Sequence, residues 1–372
     1  MNILSRKRLY NIVQPLLQQT HRNYSYRTMS SPAFEFLPLG AIIQSFYIGK
    51  TNIVQGFPQQ SQYESHNSPF FGETIGRVAN RVKNAKIDKL NGREYTLAAN
   101  NGMNALHGGV KGWGKRIWEG PTPVGVRGVE GVGEIEGGES VKFTLRSEDG
   151  DEGYPGTVEA SVVYTAGTQK TKEGKTATVL GIEYEVELVG DEVEETAVSV
   201  TNHSYFNLSG NPTISGTSIT LCSSAYLPVD DGGIPLGSPT TYSGVTAQTP
   251  FILGEETPDI DDCFIVDPST ASHIPLDTRS SPLTKLVTAH HPLTKITLEV
   301  LSTEPAFQFY TGKYIDVPDV EGAKARGKRS GFCVEPSRYV NAINVPEWRG
   351  QVLLRQGEKY GSRIVYQGWI DE

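Results

Sequence analysis

Hydrophobic and polar residues alternate with a period of two along most patterned segments of this chain. The alternation is clearest at residues 182–188, which read IEYEVEL, and at residues 295–300, which read KITLEV. Such a pattern is typical of strands with one buried and one exposed face. The same reasoning predicts shorter strands at residues 142–145, 196–200, 217–221, 307–310 and 352–354.

These predicted strands indicate an all-β fold. Beyond residue 32 no segment has the pattern of a clear amphipathic helix, while 40 glycines and 22 prolines punctuate the chain. An antiparallel sandwich or barrel is therefore expected. Polar segments at 125–139, 167–175 and 267–281 are expected to be surface insertions. Because strand patterns resume after each of them, we expect one domain from residue 33 to residue 372.

The first 32 residues differ in composition from the rest of the chain. They contain several basic residues and serines, whereas the first acidic residue is Glu35. This composition is typical of a transit peptide. Alternatively, Met29 is the true start of a cytosolic form, and the residues before it are an unstructured extension. We expect a cytoplasmic protein, with mitochondrial import through the basic segment as the alternative.

Charge and cysteine content exclude several classes of function. The formal charge of −8, from 34 basic and 42 acidic residues, provides no basic surface for nucleic acid. No apolar run approaches the ~18 residues needed to span a bilayer, so no membrane partner is expected. Cys222, Cys263 and Cys333 are far apart and lack the spacing of a zinc site or a disulfide framework. They favour a reducing compartment, where buried cysteines pack as small hydrophobic residues.

Two histidines and one glutamate stand in contexts that favour acid–base chemistry. Residues 201–208 read TNHSYFNL, which places His203 among hydroxyl, amide and aromatic groups suited to a polar, ring-shaped ligand. His107 precedes two glycines in NALHGG at 104–109, where the backbone can turn sharply or approach a ligand. Glu335 has apolar and turn-forming neighbours in CVEP at 333–336. Together these side chains can supply a general acid and a general base.

The chain resembles the aldose 1-epimerase (galactose mutarotase) family. Besides the three motifs above, the resemblance rests on FGETIGRVANR at 71–81, IDDCF at 260–264 and QFYTG at 308–312, all in the family's order. It implies a β-supersandwich, in which large antiparallel sheets form an open sugar-binding cleft. It also implies an isomerase that interconverts the α and β anomers of free aldohexoses such as glucose and galactose, without cofactor or metal.

The resemblance also implies roles for individual residues. Glu335 matches the family's catalytic base and His203 its acid. The side chains that match the family's sugar-binding groups, or that can hydrogen-bond beside them, are Arg81, His107, Asp261, Asn80 and Gln308. Arg77 in the same motif as Arg81 is expected to serve the structure, and Asp261 is favoured over its neighbour Asp262.

One departure from the family and three alternatives remain open. Residues 336–339 read PSRY, where many members have Thr-Gln or Pro-Gln after the glutamate, so we expect a changed rim and a different sugar preference. A hexose-6-phosphate mutarotase would need converging cations, for which Arg81, Arg338 and Lys111 are candidates. A glycosidase is less favoured, because most glycosidases use two catalytic carboxylates. A non-catalytic carbohydrate-binding or sensing module is the third alternative, and a monomer or weak dimer is expected.

Overall fold

Strands make up most of the regular structure in the computed structural model, which describes residues 26–27 and 33–371. In chain order the strands are β1 (Tyr26–Arg27), β2 (Phe34–Leu37), β3 (Ile42–Ile48), β4 (Thr51–Asn52), β5 (Thr74–Ile75), β6 (Arg81–Val82), β7 (Lys86–Leu90), β8 (Arg93–Thr96), β9 (Ala105–Leu106), β10 (Glu119–Val126), β11 (Glu136–Ser147), β12 (Val158–Lys170), β13 (Thr176–Leu188), β14 (Glu195–Ala197), β15 (Thr201–Asn202), β16 (Tyr205–Phe206), β17 (Ser218–Leu221), β18 (Ala225–Tyr226), β19 (Thr240–Thr241), β20 (Phe251–Ile252), β21 (Asp261–Ile265), β22 (Thr284–His291), β23 (Ile296–Ser302), β24 (Ala306–Tyr310), β25 (Phe332–Ser337), β26 (Leu353–Arg355) and β27 (Lys359–Ile370). The helical elements are α1 (Gln60–His66) and 3-10 turns at Lys83–Ala85, Trp113–Lys115, Asp151–Gly153, Pro268–His273, Ala342–Asn344 and Arg349–Gln351.

A nine-stranded antiparallel sheet forms one side of the molecule, in the order β10-β11-β12-β13-β27-β23-β22-β17-β20. The predicted strand at 182–188 is the second half of β13. Its hydrophobic positions are buried and its three glutamates are half-buried, as the period of two requires. The prediction of an all-β antiparallel fold is confirmed.

A six-stranded sheet, in the order β16-β25-β24-β21-β18-β19, faces the first sheet. One face of this second sheet carries Phe307, Phe309 and Val334, which join the main hydrophobic core. That core also contains residues of the nine-stranded sheet, and Phe206 packs with its ring centroid 5.1 Å from that of Tyr366. Successive strand residues point to opposite faces, so the intervening polar residues of β24 and β25 point away from this core.

Local differences from the sequence prediction are small. The helix α1 was not predicted, because Tyr63 is its one buried side chain and it lacks an apolar stripe. The strand expected at 196–200 is limited to β14. Parts of two expected insertions belong to strands, since β11 begins at Glu136 and β12 extends to Lys170.

The boundary predicted at residue 33 stays a prediction. Two residues of the expected extension, Tyr26 and Arg27, pair in antiparallel register with Phe36 and Glu35. The rest of that extension, residues 1–25 and 28–32, lies outside the described part of the chain. Across the described residues, none of the helices has the length and apolarity needed to cross a membrane.

Candidate active site

An open cavity of about 700 Å³ lies over the polar face of the six-stranded sheet. Its walls contain all seven side chains that the sequence predicted for the site: Glu335, His203, Arg81, His107, Asp261, Asn80 and Gln308. They come from six separate motifs and are brought together by the strands β6, β9, β15, β21, β24 and β25.

His203 and Glu335 form a close pair of titratable groups in the cavity. Nε2 of His203 lies 3.4 Å from Oε1 of Glu335, and both side chains are almost fully buried. Glu335 is held by β25, where it lies directly opposite Gln308 of β24. The backbone of His203 is fixed on both sides, because its N–H donates to the carbonyl of Glu73 and its carbonyl accepts from the N–H of Gly72.

His107 lies beside this pair on a strained turn. Its φ of 51° is in the left-handed region, and the turn continues through Gly108 at φ 82°. A Cβ atom at Gly108 would lie 1.9 Å from the carbonyl oxygen of Gly76, so only glycine fits there. The N–H of Asn80 donates to Nδ1 of His107 over 3.3 Å, which leaves Nε2 for the cavity. The ring of His107 meets that of His203 edge to face, with centroids 5.1 Å apart.

Three of the remaining side chains form one chain of hydrogen bonds. The amide of Asn80 donates to Oε1 of Gln308 over 3.1 Å, and the amide of Gln308 donates to Oδ1 of Asp261 over 2.8 Å. Arg81 is oriented by a bond of 3.0 Å from its Nε to the side-chain oxygen of Asn101. These bonds fix the direction of each group while leaving donors and acceptors for a ligand with several hydroxyls.

The charges of the site are set mainly by burial. Burial, together with the nearby charge of Lys115, lowers the pKa of His203 to about 3. Burial also holds the pKa of His107 well below its usual value, with His203 and Arg81 adding to the effect. Burial raises the pKa of Glu335 well above the ordinary carboxyl value, Asp261 raises it further, and Arg81 opposes both. When the His203–Glu335 pair holds one proton, that proton therefore resides on the carboxyl group.

The side chains of the neighbouring residues Asp261 and Asp262 point to opposite faces of β21, as the pleat of a strand requires. Asp261 lines the cavity. Asp262 lies on the other side of the strand and interacts with Tyr242. The structure thus places Asp261, and not Asp262, next to Gln308.

The expectation that residues 336–339 form the rim of the site is wrong. Arg338 is fully buried, and its Nε lies 3.0 Å from Oε2 of Glu304. Tyr339 packs edge to face on Trp348, away from the cavity. Lys111 is exposed and does not line the cavity either, so of the three predicted phosphate-binding cations only Arg81 does.

Several groups around the site were missed by the sequence analysis. Phe70, also in a left-handed conformation at φ 66°, lies with its ring centroid 4.9 Å from His107 and 5.6 Å from His203. The ammonium group of Lys115 lies 4.8 Å from the centre of the Phe70 ring and forms an ion pair with the buried carboxylate of Glu73. The wall also contains Asn101, Met103, Asn104, Asp231, Tyr205, Tyr310 and Tyr314. These residues lie in segments without a periodic pattern or a recognised motif. From the sequence alone, an aromatic residue beside the site cannot be told from one in the core, nor a lysine beside the site from one on the surface.

Arg77 has the structural role expected for it. Its guanidinium is buried away from the cavity and donates to the backbone carbonyls of Pro155 and Gly156 and to the hydroxyl of Ser147. These bonds connect the loop after β5 to the loop between β11 and β12.

Comparison with known sequences finds a matching family model and relatives whose names agree with it. The model of one family, described as aldose 1-epimerase, matches residues 28–367. A protein of Pachysolen tannophilus named bifunctional protein GAL10 is 39% identical over 333 residues, which are 88% of this chain and 44% of that protein. The galactose mutarotase of Sus scrofa is 35% identical over 317 residues, which are 83% of this chain and 82% of that protein. The chain thus spans less than half the length of the bifunctional relative.

Solved structures with the same fold include two with related names. A GalM/aldose epimerase homologue from C. elegans has a TM-score of 0.73 at 25% identity, covering 91% of this chain and 96% of its own. A galactose 1-epimerase from Lactobacillus acidophilus has a TM-score of 0.69 at 21% identity, covering 90% of each chain. The second likeness supports the β-sandwich fold alone.

Proposed function

The chain belongs to the aldose 1-epimerase family, and from this premise we propose that it is a mutarotase of free aldohexoses. In this proposal glucose, galactose or a related sugar binds in the cavity with its anomeric centre between His203 and Glu335. The observation that carries the proposal is the 3.4 Å separation of Nε2 of His203 from Oε1 of Glu335 at the buried end of an open polar cavity. Such a pair can take a proton from one sugar oxygen and give a proton to another.

The reaction requires one proton transfer in each direction. Glu335 as a carboxylate removes the proton of the anomeric hydroxyl, and His203 protonates the ring oxygen as the bond between C1 and that oxygen breaks. The product is the open-chain aldehyde. After rotation about the C1–C2 bond, the two transfers run in reverse and close the ring with the other configuration. The protein ends in its starting protonation state, so the chemistry consumes no co-reactant.

The resting location of the proton adds one step to this scheme. The pKa shifts favour a protonated Glu335 and a neutral His203, whereas the assigned roles need the proton on His203 when the closed sugar binds. Both arrangements contain the same single proton, so the pair needs no exchange with solvent. Sugar hydroxyls that donate to Glu335, together with Arg81, favour the ionised carboxylate and thereby the active arrangement.

The other cavity residues are proposed to bind and orient the sugar. Arg81 offers a planar set of donors, and Asp261 offers an acceptor fixed by Gln308. His107 has Nε2 free for the cavity and is proposed to bond near the ring oxygen. Such groups hold the reacting atoms within reach of the acid and the base, which is a large part of the rate gain in reactions of this kind.

A hexose 6-phosphate is a less favourable substrate. Of the three cations expected to converge on a phosphate, Arg338 is buried against Glu304 and Lys111 lies off the cavity. One guanidinium would face two phosphate charges and the carboxylate of Asp261. The geometry therefore favours an uncharged aldohexose over its 6-phosphate.

Polarimetry tests the proposal directly. Freshly dissolved α-D-glucose and α-D-galactose should reach their equilibrium rotation faster in proportion to the amount of protein, with no metal or nucleotide added. Glucose 6-phosphate, followed by NMR of the anomeric proton, should be a poor substrate. Binding of sugar without any rate increase would identify a non-catalytic carbohydrate-binding module and overturn the proposal.

The cellular setting of the protein is also a proposal. We place it in the cytoplasm, where free aldohexoses are handled, as a monomer or weak dimer. A reporter fused to residues 1–32 should remain diffuse in the cytosol, and import into mitochondria would contradict this placement. Light scattering after gel filtration measures the oligomeric state.

A further inference from the structure

We propose that the 230–234 turn, which follows β18 and comprises residues 230–234, positions the guanidinium of Arg81 for the sugar, and that Gly233 is the residue through which it acts. This inference rests on the proposed function, which assigns Arg81 to sugar binding. It extends that function to a part of the chain outside the motifs of the site. Two residues of the turn, Asp231 and Gly232, line the cavity.

Hydrogen bonds within the 230–234 turn hold it in a closed conformation. Oδ1 of Asp230 accepts the backbone N–H groups of Gly232 and Ile234, each over 2.9 Å. The backbone N–H of Asp230 donates to the carbonyl of Ile234 over 2.9 Å, and the side chain of Ile234 is buried. An aspartate that bonds to the backbone after it in this way is a common means of fixing a turn.

The turn is attached to the wall of the cavity that carries Arg81. The carbonyl of Gly232 accepts Nδ2 of Asn104 over 3.0 Å, and Oδ1 of Asn104 accepts the backbone N–H of Asn84 over 2.8 Å. Asn104 directly precedes β9, which pairs with β6 so that Arg81 lies opposite Leu106. The turn therefore has a fixed place relative to Arg81.

Gly233 is the point at which the turn meets Arg81. Its φ of 74° is in the left-handed region, and a Cβ atom at this position would lie 2.7 Å from Nε and 2.8 Å from Cζ of Arg81. Cβ atoms of folded proteins essentially never approach other heavy atoms below 3.0 Å. A side chain at residue 233 therefore displaces the guanidinium or the turn.

The direction of the Arg81 donors follows from these contacts. Nε donates to Oδ1 of Asn101 over 3.0 Å, and the backbone of Gly233 occupies the adjacent space. Because the donors of a guanidinium lie in one rigid plane, fixing Nε also fixes the terminal N–H groups that remain for hydroxyls. A displaced guanidinium therefore weakens the binding of the sugar.

Gly233→Ala tests this contact in the full-length protein. We expect kcat/KM for galactose to fall by about ten-fold, mostly through a higher KM, because a charge-assisted hydrogen bond to the sugar is lost while the acid–base pair is retained. Gly210→Ala is the matched control, since Gly210 has a φ of 68° and a Cβ atom there would meet no atom within 4 Å in the described part of the chain. It introduces similar backbone strain without contact to Arg81, so its kinetics should equal those of wild type. Circular dichroism establishes that both variants are folded.

A second pair of variants tests the turn without adding a side chain at residue 233. Asp230→Ala removes the acceptor that closes the turn, whereas Asp230→Asn retains an oxygen at that position. Asp230 is exposed, so neither substitution disturbs the core. The alanine variant should raise KM by about three-fold, and the asparagine variant should stay close to wild type. Equal KM values for the two variants would overturn the role of the turn.

A double-mutant cycle separates positioning of Arg81 from a general effect on the fold. In the Arg81→Ala background, Gly233→Ala should change kcat/KM by less than about two-fold, because the group that the added methyl displaces is already gone. A loss of about ten-fold in both backgrounds would show that Gly233 acts by another route and would overturn the proposal.

Nitrogen NMR of the sugar-free protein gives a readout that does not depend on activity. The Nε–H signal of Arg81, identified by its absence from Arg81→Ala, should shift in Gly233→Ala and stay in place in Gly210→Ala. An unshifted signal in Gly233→Ala would overturn the positioning role. A wild-type protein without mutarotase activity would instead overturn the proposed function, and the position of this signal would still decide whether the turn holds Arg81.

Discussion

Nε2 of His203 lies 3.4 Å from Oε1 of Glu335, and both side chains are buried at the end of a cavity that is open to solvent. Close approach lets one proton move between the two groups, and burial keeps bulk water from competing for it. Together these two properties favour proton exchange with the sugar rather than with solvent.

Removing either member of this pair should abolish most of the turnover. Glu335→Gln keeps the shape of the base and removes its charge. His203→Asn keeps a polar side chain and removes the titratable imidazole. Each should lower kcat by about 10²-fold or more, while sugar binding persists. Polarimetry gives the rate, and titration with the sugar gives the affinity. A variant that retained more than half of the wild-type turnover would show that its residue has another role.

The pH dependence should follow from the single proton held by the pair. His203 accepts a second proton only near its lowered pKa of about 3, and Glu335 loses the shared proton only well above the ordinary carboxyl value. We therefore expect kcat/KM to have no acidic limb in the usual histidine range around 6.5, and to fall only where His203 takes up a second proton or Glu335 loses the shared one. Rates corrected for spontaneous mutarotation measure this. An acidic limb with a midpoint near 6.5 would contradict the buried, neutral state of His203.

Substitutions at the sugar-binding groups should change affinity as well as rate. Arg81→Ala and Asp261→Ala each remove hydrogen bonds to hydroxyls, so we expect KM to rise and kcat to fall. Asp262→Ala is the matched control, because Asp262 lies on the other face of β21 beside Tyr242. Steady-state kinetics on galactose distinguish the three variants. Greater damage from Asp262→Ala than from Asp261→Ala would reverse the assignment of the pair.

The contact of 3.5 Å between Sγ of Cys333 and Nδ1 of His203 should contribute to turnover. A sulfur that accepts the Nδ1 hydrogen of neutral His203 leaves the lone pair on Nε2, facing Glu335, where it can take the shared proton. Cys333→Ser retains an acceptor, whereas Cys333→Ala loses one hydrogen bond, worth about 1 kcal/mol or about five-fold in rate. We expect the alanine variant to be slower by about that factor and the serine variant to be less affected. Nitrogen NMR of His203 reports the tautomer, and an unchanged tautomer in Cys333→Ala would refute this role.

The fold was predictable from sequence where burial follows a simple period. At 182–188 one face of β13 packs on the core and the other is partly exposed, so the pattern and the structure coincide. The short helix α1 buries Tyr63 alone and therefore has no periodic signal. Across the described residues, the architecture followed from alternation together with the family resemblance.

The site was predictable only as far as its motifs extend. The seven predicted residues converge because each lies in a motif, but nothing in the sequence indicates that Phe70 contacts both histidines or that Lys115 lies over Phe70. Arg338 was misplaced for the same reason. Its partner Glu304 is distant in the chain, and a basic residue near Glu335 resembles a rim residue unless that ion pair is known.

Glu73 should make the stability of the protein depend on pH. It is buried beside the site, where burial raises its pKa to about 7 although Lys115 and Asn67 oppose the shift. A raised carboxyl pKa in the folded state means that folding favours the protonated form. The contribution to stability is complete below the unfolded value near 4.5 and is lost as the pH rises through about 7.

Glu73→Gln isolates this contribution, because the amide cannot titrate but retains an oxygen for Lys115 and Asn67. Relative to wild type, the variant should gain stability as the pH rises from about 4.5 to about 7, by roughly 3 kcal/mol across that range. Denaturant unfolding at a series of pH values measures the difference. The exposed carboxylate Glu94, paired with Lys86 on the surface, provides the control, and Glu94→Gln should show no comparable trend. A stability difference between Glu73→Gln and wild type that stays constant across this range would mean that Lys115 keeps Glu73 ionised throughout.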